Sequence, residues 1–495
     1  MNVSLVPGGR RGLPLSAAPP AIPGPFSPST IVKVLLGVAL VAIVGGIPLP
    51  WMLAVYGGIG LLIAMMISPL IGLFAVLSAI PFSPTFGVED AAFSISAFEP
   101  LLLLVLLFWL LQGITRKHIE LPREGLFGGL VFFLFWQFLA GGFAADYPLA
   151  FKETLKWVLL ILAYVYTRVT VRNEQAARAV LAALFFAGAG QAFMGLVQFA
   201  VPFGPGGFAV GPFMRAHGMF GQPNPFAGYL GTIFPIALAM GMISHPGRFR
   251  LIAGFAFGML GLGIFLSLSR GAWLGLAISL GVMAAAWSPQ ARKLLAPLIG
   301  SMILIVALAM MGLLPENIAT RITSATDNFG VFDVRNVPPT SDNFAVVERM
   351  AHWQAGWYIF RDYPFLGVGP GNYPAVYEEY YIPPWKEPLG HAHNYYLNMA
   401  AETGLPGMLA LLLVLGLAFR GLARRIRATE PEAVAQGDYQ LDPPYSPAFA
   451  RALALGLLGS LAVFCIHNLF DNLLVHGVGI QIGVLLGLIG GVSHR

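Results

Sequence analysis

Two histidines one residue apart, His391 and His393, open the stretch GHAHNYYLNMAAETGLPGM, residues 390–408. Imidazole suits two kinds of chemistry: one ring can act as a general base near neutral pH, or the pair can converge on a metal ion. A structural role, with both rings hydrogen-bonded in a loop, is the third possibility. Because no further metal ligands follow at helical spacing, we expect a base and no metal, with Asn394 beside it as a candidate substrate contact.

Three arginines are the second chemically suggestive group. Arg215 lies in RAHGMFGQPNPFAGYL, Arg270 in SLSRGAWLGL, and Arg349 opens a Trp-rich segment. Arginines at the ends of apolar segments are costly unless an anion compensates them, although they can also snorkel to lipid phosphates or pair with a carboxylate. Two or three such forked guanidinium groups around one cavity would match a diphosphate.

The elements that must position these residues are membrane helices. The chain has 495 residues, of which 57% are hydrophobic and 10% are charged, which excludes a soluble globular protein. Apolar runs of about 20 residues, the length of a membrane-spanning helix, recur from Ile31 to the C-terminus. Cys465, the single cysteine, excludes an intramolecular disulfide, and the scattered basic residues give no indication of nucleic-acid binding.

We therefore predict an all-α polytopic membrane protein with about 14 transmembrane helices. The predicted spans are 31–48, 51–67, 69–82, 98–114, 125–143, 150–167, 178–200, 226–244, 251–268, 272–287, 294–313, 405–422, 451–468 and 476–492. The corresponding divisions are a disordered cytoplasmic tail (1–30), helices 1–11 (31–314), a large external loop with the histidine motif (315–404), and helices 12–14 with a cytoplasmic loop at 423–450 (405–495).

Charge distribution orients this arrangement. About 19 of the 28 basic residues fall on the side of the two termini, against about 7 of the 23 acidic residues. The positive-inside rule then assigns that side to the cytoplasm. The histidine pair and all three arginines fall on the opposite, external side. The loop 315–404 is too long for a simple connector, so we expect it to form a functional, partly helical cap.

The motifs SLSRGAWLGL, YPFLGVGPGNY and HAHNYYLNMAAETGLPGML closely resemble the core of the O-antigen ligase and O-antigen polymerase superfamily of bacterial envelope glycosyltransferases. RAHGMFGQPNPFAGYL resembles the arginine loop that precedes this core in the family. The resemblance covers about residues 213–420, and the order of the four motifs is that of the family.

This resemblance implies a membrane glycosyltransferase with a GT-C-like architecture in the bacterial cytoplasmic membrane, acting at its periplasmic face. The donor would be a glycan linked to polyprenyl (undecaprenyl) diphosphate, and the acceptor a glycolipid or glycan. Arg215 and Arg270 would hold the diphosphate, with Arg349 and His391 as further substrate contacts, and His393 would activate the acceptor hydroxyl. Transfer would be inverting and would need neither cofactor nor metal.

Two alternatives remain at this stage. A polymerase would extend the same lipid-linked glycan and use the same chemistry. A flippase or transporter would also suit about 14 spans, but transporters tend to place ionisable residues near the bilayer midplane and to show repeated halves. Here the candidate charges lie at helix ends, and the sequence shows no clear repeat, so we favour the ligase type.

Overall fold

The computed structural model describes residues 3–5, 37, 49–82, 98–115, 117, 119–243, 247–293, 295–314, 333–340, 343–437 and 439–494. The predicted span 31–48 lies outside these residues apart from Gly37, as do most of the tail 1–30 and residues 315–332 of the large loop. Within the described residues the chain is mainly helical, as the sequence predicts.

The α-helices of the described chain are α1 Leu49–Ile67, α2 Pro69–Ala79, α3 Phe98–Thr115, α4 Gly125–Gly141, α5 Tyr147–Thr170, α6 Glu174–Ala200, α7 Pro223–Ile243, α8 Arg248–Leu266, α9 Arg270–Trp287, α10 Pro289–Arg292, α11 Leu295–Met310, α12 Phe344–Asp362, α13 Tyr373–Tyr380, α14 Tyr395–Ala428, α15 Pro431–Gln436, α16 Pro447–His467 and α17 Val478–Gly487. Short 3-10 turns lie at Ile80–Phe82, Gly206–Phe208 and Val334–Asn336.

The prediction of a polytopic membrane protein is confirmed. Among the described residues, 7 helices are long and apolar enough to cross a membrane, namely α3, α6, α7, α8, α9, α14 and α16. Further apolar helices are shorter, including α4 and α17. Many bulky apolar side chains remain exposed on these helices, such as Phe186 and Leu251 at 74% each. Such surfaces are expected to face lipid.

The described chain also contains short strands, which the sequence analysis did not predict, and two of the three strand pairs, β1–β2 and β5–β6, join distant parts of the chain. They are β1 Val3–Leu5, β2 Ile119–Leu121, β3 Ala209–Val210, β4 Phe213–Met214, β5 Tyr439–Asp442 and β6 Gly491–His494. β1 pairs with β2 in parallel, while β3–β4 and β5–β6 are antiparallel pairs. The β3–β4 hairpin leads directly into Arg215, whose backbone N–H donates to the Phe208 carbonyl oxygen at 2.9 Å.

Two central helices, α7 and α16, are the most buried of the candidate spans, with 78% and 83% of their most apolar windows inside the protein. Small residues allow the two backbones to approach closely: a Cβ on Gly456 would lie 2.6 Å from the Ile236 Cα. The Ser460 hydroxyl donates to the Thr232 carbonyl oxygen at 2.5 Å. The loop that contains Arg215 leads into the start of α7, and the loop that contains Asp471 follows the end of α16.

The cap, which we define as residues 333–340 and 343–394, docks on a break in α14. At Gly404 the backbone has φ 70° and ψ −179°, which interrupts the helix. The Val368 and Gly369 backbone N–H groups donate to the Ala401 and Glu402 carbonyl oxygens at 3.1 and 2.9 Å. The GVGPGNY segment of the cap thus satisfies carbonyls at the break, as buried backbone groups require.

Candidate active site

The histidine segment is a tight loop held at both ends. His393 lies in the left-handed region with φ 52°. The Asn394 side-chain oxygen accepts the Leu397 backbone N–H at 3.0 Å and so caps the N-terminus of α14. The Tyr395 backbone N–H donates to the Asn468 carbonyl oxygen at 2.8 Å, at the end of α16. This side-chain oxygen of Asn394 is therefore engaged in capping, and its contact with substrate stays a prediction.

A buried carboxylate from another part of the chain completes the histidine pair. Asp471, in the loop between α16 and α17, is 7% exposed. One carboxylate oxygen, Oδ1, lies 3.7 Å from His391 Nε2 and 3.9 Å from His393 Nδ1. The two imidazole rings are 4.4 Å apart between centroids and nearly perpendicular. We call these three residues the His–Asp cluster.

Hydrogen bonds fix the orientation of Asp471. Its other oxygen, Oδ2, accepts the Asn224 side-chain N–H at 2.8 Å, and the Asn224 side-chain oxygen accepts the Ser269 hydroxyl at 3.0 Å. Asn224 is the second residue of α7, and Ser269 directly precedes α9. The chain Ser269–Asn224–Asp471 therefore connects the turn that carries Arg270 to the His–Asp cluster.

Burial sets the charge of the cluster. It lowers the pKa of His391 and of His393, and for His393 the neighbouring His391 lowers the pKa further, while Asp471 opposes the shift. Burial alone would raise the pKa of Asp471, but His391 and Arg349 outweigh it, so that this pKa is lowered. The cluster at neutral pH is an ionised carboxylate beside two neutral imidazoles. A neutral imidazole can accept a proton.

Both ring nitrogens of His393 are buried and make no hydrogen bond within the described residues. Asp471 Oδ1 is too distant, at 3.9 Å from Nδ1, for a hydrogen bond. A substrate hydroxyl that displaces the packing around the ring would therefore find an uncommitted acceptor. Such contacts are often loose in the absence of substrate and tighten when it binds.

Arg349 joins the cap to the same loop. It is half-buried on α12, and its Nε donates to the Phe470 carbonyl oxygen at 3.2 Å, next to Asp471. Its Nη1 donates to the Ala345 carbonyl oxygen at 3.0 Å. The positive charge of Arg349 lies close enough to lower the pKa of both His391 and Asp471. The structure thus brings Arg349 to the His–Asp cluster.

Arg215 contacts the turn that precedes Arg270. Arg215 Nε donates to the Ser267 carbonyl oxygen at 2.9 Å, and Ser267 lies in the turn between α8 and α9 that ends at Arg270. Both arginines are half-buried. A Cβ on Gly271 would lie 3.3 Å from His467, the last residue of α16. The arginine turn therefore packs against the helix whose end leads into Asp471.

Sequence reasoning missed His352, and it did not decide the role of Asp471. His352 on α12 lies 5.3 Å from His393 between ring centroids, and its Nδ1 lies 2.8 Å from the Tyr373 hydroxyl. The sequence left two roles open for Asp471, lining the same cavity or capping a helix, and it indicated a turn residue at Asn224. Their 247-residue separation left no local signal for the hydrogen bond that joins them.

The His–Asp cluster also has the composition of a metal site. The ligand atoms of His391, His393 and Asp471 all lie within 4.8 Å of one another. Two imidazoles and one carboxylate are a ligand set that zinc accepts. However, Asp471 already accepts hydrogen bonds from Asn224 and from the Asn472 backbone N–H at 2.8 and 2.9 Å. A metal ion would have to share these carboxylate oxygens.

Comparison with known proteins supports the resemblance of the motifs. A family model described as O-antigen ligase matches residues 255–412, about a third of the chain. The matched region runs from α8 to the middle of α14, and it contains Arg270, Arg349 and the histidine pair. Arg215 and Asp471 lie outside it. A search of curated proteins found no match.

Proposed function

Because residues 255–412 make this chain a member of the O-antigen ligase superfamily, we propose that it is a membrane glycosyltransferase of the ligase type. The donor is a glycan on polyprenyl diphosphate, of which the undecaprenyl form is the bacterial one, and the acceptor is a hydroxyl group of a glycolipid or glycan. The observation that carries the mechanism is the His–Asp cluster, which offers neutral imidazole beside a fixed carboxylate.

His393 acts as the general base. Its ring nitrogen takes the proton of the acceptor hydroxyl while the oxygen attacks the anomeric carbon of the donor sugar. The bond from that carbon to the diphosphate oxygen breaks, and polyprenyl diphosphate leaves with the electron pair. Attack from the face opposite the leaving group inverts the anomeric carbon. Asp471 stabilises the imidazolium ion that forms, because its carboxylate lies beside both rings.

Arg215 and Arg270 bind the diphosphate. Fixed guanidinium groups stabilise the charge that develops on the leaving oxygens, and they supply this charge without a metal ion. Arg349 and His391 border the acceptor hydroxyl, and Asn394 contacts substrate while capping α14. The proposed mechanism is accordingly inverting and metal-independent.

The proposal extends to the architecture. The chain crosses the cytoplasmic membrane about 14 times, with a GT-C-like arrangement and its active site at the periplasmic face. Residues 1–30 form a cytoplasmic tail, 31–314 the first eleven spans, 315–404 the large external loop, and 405–495 the last three spans with the cytoplasmic loop 423–450. Seven sufficiently long apolar helices and the excess of basic residues on the side of the termini support this arrangement.

The experiment that tests the function is glycan transfer in liposomes. The purified full chain is mixed with a polyprenyl-diphosphate glycan and a glycolipid acceptor, with and without EDTA. We expect glycosylated acceptor and released polyprenyl diphosphate at the same rate in both samples. Activity that EDTA abolishes and added zinc restores would contradict the metal-independent mechanism and favour a metal in the His–Asp cluster.

The same assay separates the ligase from the polymerase. A ligase attaches one donor glycan to the acceptor glycolipid, whereas a polymerase lengthens the glycan that stays on the lipid carrier. Gel electrophoresis of the products distinguishes the two, because only the polymerase produces a ladder in the absence of acceptor. A single glycosylated acceptor band is the result we expect.

A further inference from the structure

The cap contains a cavity formed by residues that the mechanism above does not use. It has a volume of about 490 Å³, within the range of about 300–1,000 Å³ that small-molecule sites occupy. Its lining residues are Arg335, Tyr358, Arg361, Glu379, Tyr380, Tyr381, Ile382 and Pro383. They come from the 3-10 turn Val334–Asn336, from α12, and from α13 with the segment that follows it.

Hydrogen bonds hold the planar groups of this cavity in place. Asp362 accepts from Arg361 Nε at 3.0 Å and from the Tyr380 hydroxyl at 3.1 Å, through different carboxylate oxygens. Arg335 hydrogen-bonds the Tyr358 hydroxyl. The Arg335 and Arg361 guanidinium carbons lie 5.8 and 5.3 Å from the centre of the Tyr358 ring. The cavity is therefore lined by oriented aromatic and guanidinium groups.

Charge balance selects the class of ligand. Arg335 has Asp333 at 3.6 Å, and Arg361 has its ion pair with Asp362. Glu379 adds a further negative charge to the lining. A cavity whose two cations each have a carboxylate beside them is a poor site for phosphate. Flat rings with hydroxyl, guanidinium and carboxylate edges instead fit sugars, which present apolar C–H faces and many hydroxyl groups.

The cavity lies along the same helix as the histidine site. On α12, His352 contacts His393, and the Trp353 indole N–H donates to the His393 carbonyl oxygen at 3.2 Å. Tyr358 and Arg361 follow on that helix, roughly 10 Å further along its axis at 1.5 Å per residue. Because each residue turns the helix by about 100°, they project from a different face of α12 than His352 does. A glycan whose end reaches His393 would therefore have to follow the surface of α12 around to this face, a path that a chain of several sugars is long enough to span.

We propose that this cavity is a subsite for an uncharged segment of glycan, beyond the sugar that reacts. The proposal rests on the glycan-transfer function above. It adds a site that only the longer glycans can reach, so that the protein binds them more tightly than short ones. Tyr380 and Arg361 would contact the sugar rings, and Asp362 would orient both side chains. The glycan segment could belong to the donor or to the acceptor, since the chemistry of recognition is the same.

Direct binding tests the proposal separately from catalysis. The probes are oligosaccharides of one to four repeats, released by mild acid from the surface polysaccharide of the host bacterium, and saturation-transfer NMR on the full chain in nanodiscs gives their Kd. We expect Tyr380→Ala and Arg361→Ala to weaken binding of the longer probes about tenfold. Tyr380→Phe, which keeps the ring, should lose less.

Matched controls are Tyr147→Ala, at a tyrosine that is 63% exposed outside the cavity, and Lys386→Ala, at an exposed cation of the cap. Both should bind like the wild type. Thermal unfolding of each variant shows whether the cap is still folded. If Tyr380→Ala does not fold, Arg361→Ala still tests the proposal, because the Arg361 side chain is exposed and its loss should not unfold the cap. Unchanged Kd values in both cavity variants would overturn the proposal.

Transfer kinetics then identify the source of the glycan. If Tyr380→Ala raises KM for long donors, the cavity holds donor glycan, and if it raises KM for long acceptors, it holds acceptor glycan. A variant that alters neither KM would also overturn the proposal. A His393→Asn variant that binds the probes normally and transfers glycan at the wild-type rate would refute the proposed mechanism. It would not contradict the proposed glycan subsite.

Discussion

The chemistry proposed for this protein depends on the protonation state of a few buried residues. Burial lowers the pKa of both His391 and His393, whereas the Asp471 carboxylate acts in the opposite direction. His393 is therefore neutral and ready to accept a proton throughout the neutral pH range. Activity should fall only when the pH drops below the ordinary range of histidine, about 6.5, far enough to protonate the buried ring.

Asp471→Asn tests this electrostatic arrangement. Without the nearby negative charge the protonated imidazole is less stable, so the pKa of His393 falls further. The acidic limb of the kcat/KM profile for glycan transfer should then move to lower pH. Glu387→Gln, at an exposed carboxylate of the cap, is the matched control and should leave the profile in place. A limb that moves to higher pH in Asp471→Asn would contradict the assigned role.

Individual residues also mark the limit of sequence reasoning. His391, His393 and Arg349 could be selected because their types stand out in an apolar chain. For Asp471 the sequence left a place in the cavity and helix capping as alternatives, because its pairing with the histidines depends on how α16 packs against the start of α14. Asn394 was selected from the sequence for substrate contact, but the structure shows that its side chain also caps the N-terminus of α14.

At the scale of elements, the break in α14 positions the site. The sequence predicted a span at 405–422, but the helix begins at Tyr395 and ends at Ala428, with its interruption at Gly404. Hydropathy identifies the apolar part alone, whereas the preceding turns form because Asn394 caps them and the cap covers them. The YPFLGVGPGNY segment of the cap thus packs against the ETGLPG segment of α14, where the helix is interrupted.

Gly404→Ala should disrupt the packing of the cap against the break in α14. A Cβ there would overlap the Phe365 carbonyl oxygen, and alanine also disfavours the φ of 70°. We expect a loss of roughly 2 kcal/mol or more in stability together with loss of transfer. Gly416→Ala on the same helix is the matched control, because its Cβ would meet no atom within 4 Å. Thermal unfolding measures both variants, and equal unfolding temperatures would refute the docking role.

The opposite end of α14 shows a further difference from the sequence analysis. Arg425 is one of the basic residues that the positive-inside rule assigns to the cytoplasmic side, but it is fully buried. Its guanidinium donates to the Asp442 and Pro443 carbonyl oxygens at 3.2 and 3.3 Å, beside the antiparallel pair of strands β5 and β6. The predicted loop 423–450 therefore contains ordered structure that hydropathy and charge could not reveal, because carbonyl partners carry no sequence signal.

At the scale of the whole molecule, the composition predicted the class of fold correctly, and the structure places the cap and the Arg425 end at opposite ends of α14. The orientation of the chain in the membrane stays a prediction from the positive-inside rule. It requires Glu387, in the cap, to face the periplasm and Glu432, on α15, to face the cytoplasm.

Cysteine labelling tests this orientation. Cys465→Ser removes the only native cysteine, and Glu387→Cys or Glu432→Cys then introduces one at an exposed position. A membrane-impermeant maleimide added to spheroplasts should label the first variant and spare the second, which reacts only after lysis. Labelling of the cysteine at position 432 in intact spheroplasts would reverse the predicted topology.

The most direct test of the account is the rate of glycan transfer by His393→Asn in the presence of EDTA. Asparagine tolerates the left-handed conformation of this residue but cannot serve as a base. His476→Asn is the matched control, because that histidine also has positive φ, at 49°, and lies outside the proposed machinery. We expect kcat/KM to fall roughly 10²–10⁴-fold for His393→Asn and to change less than about twofold for His476→Asn. Equal activity of the two variants would show that His393 is not the base.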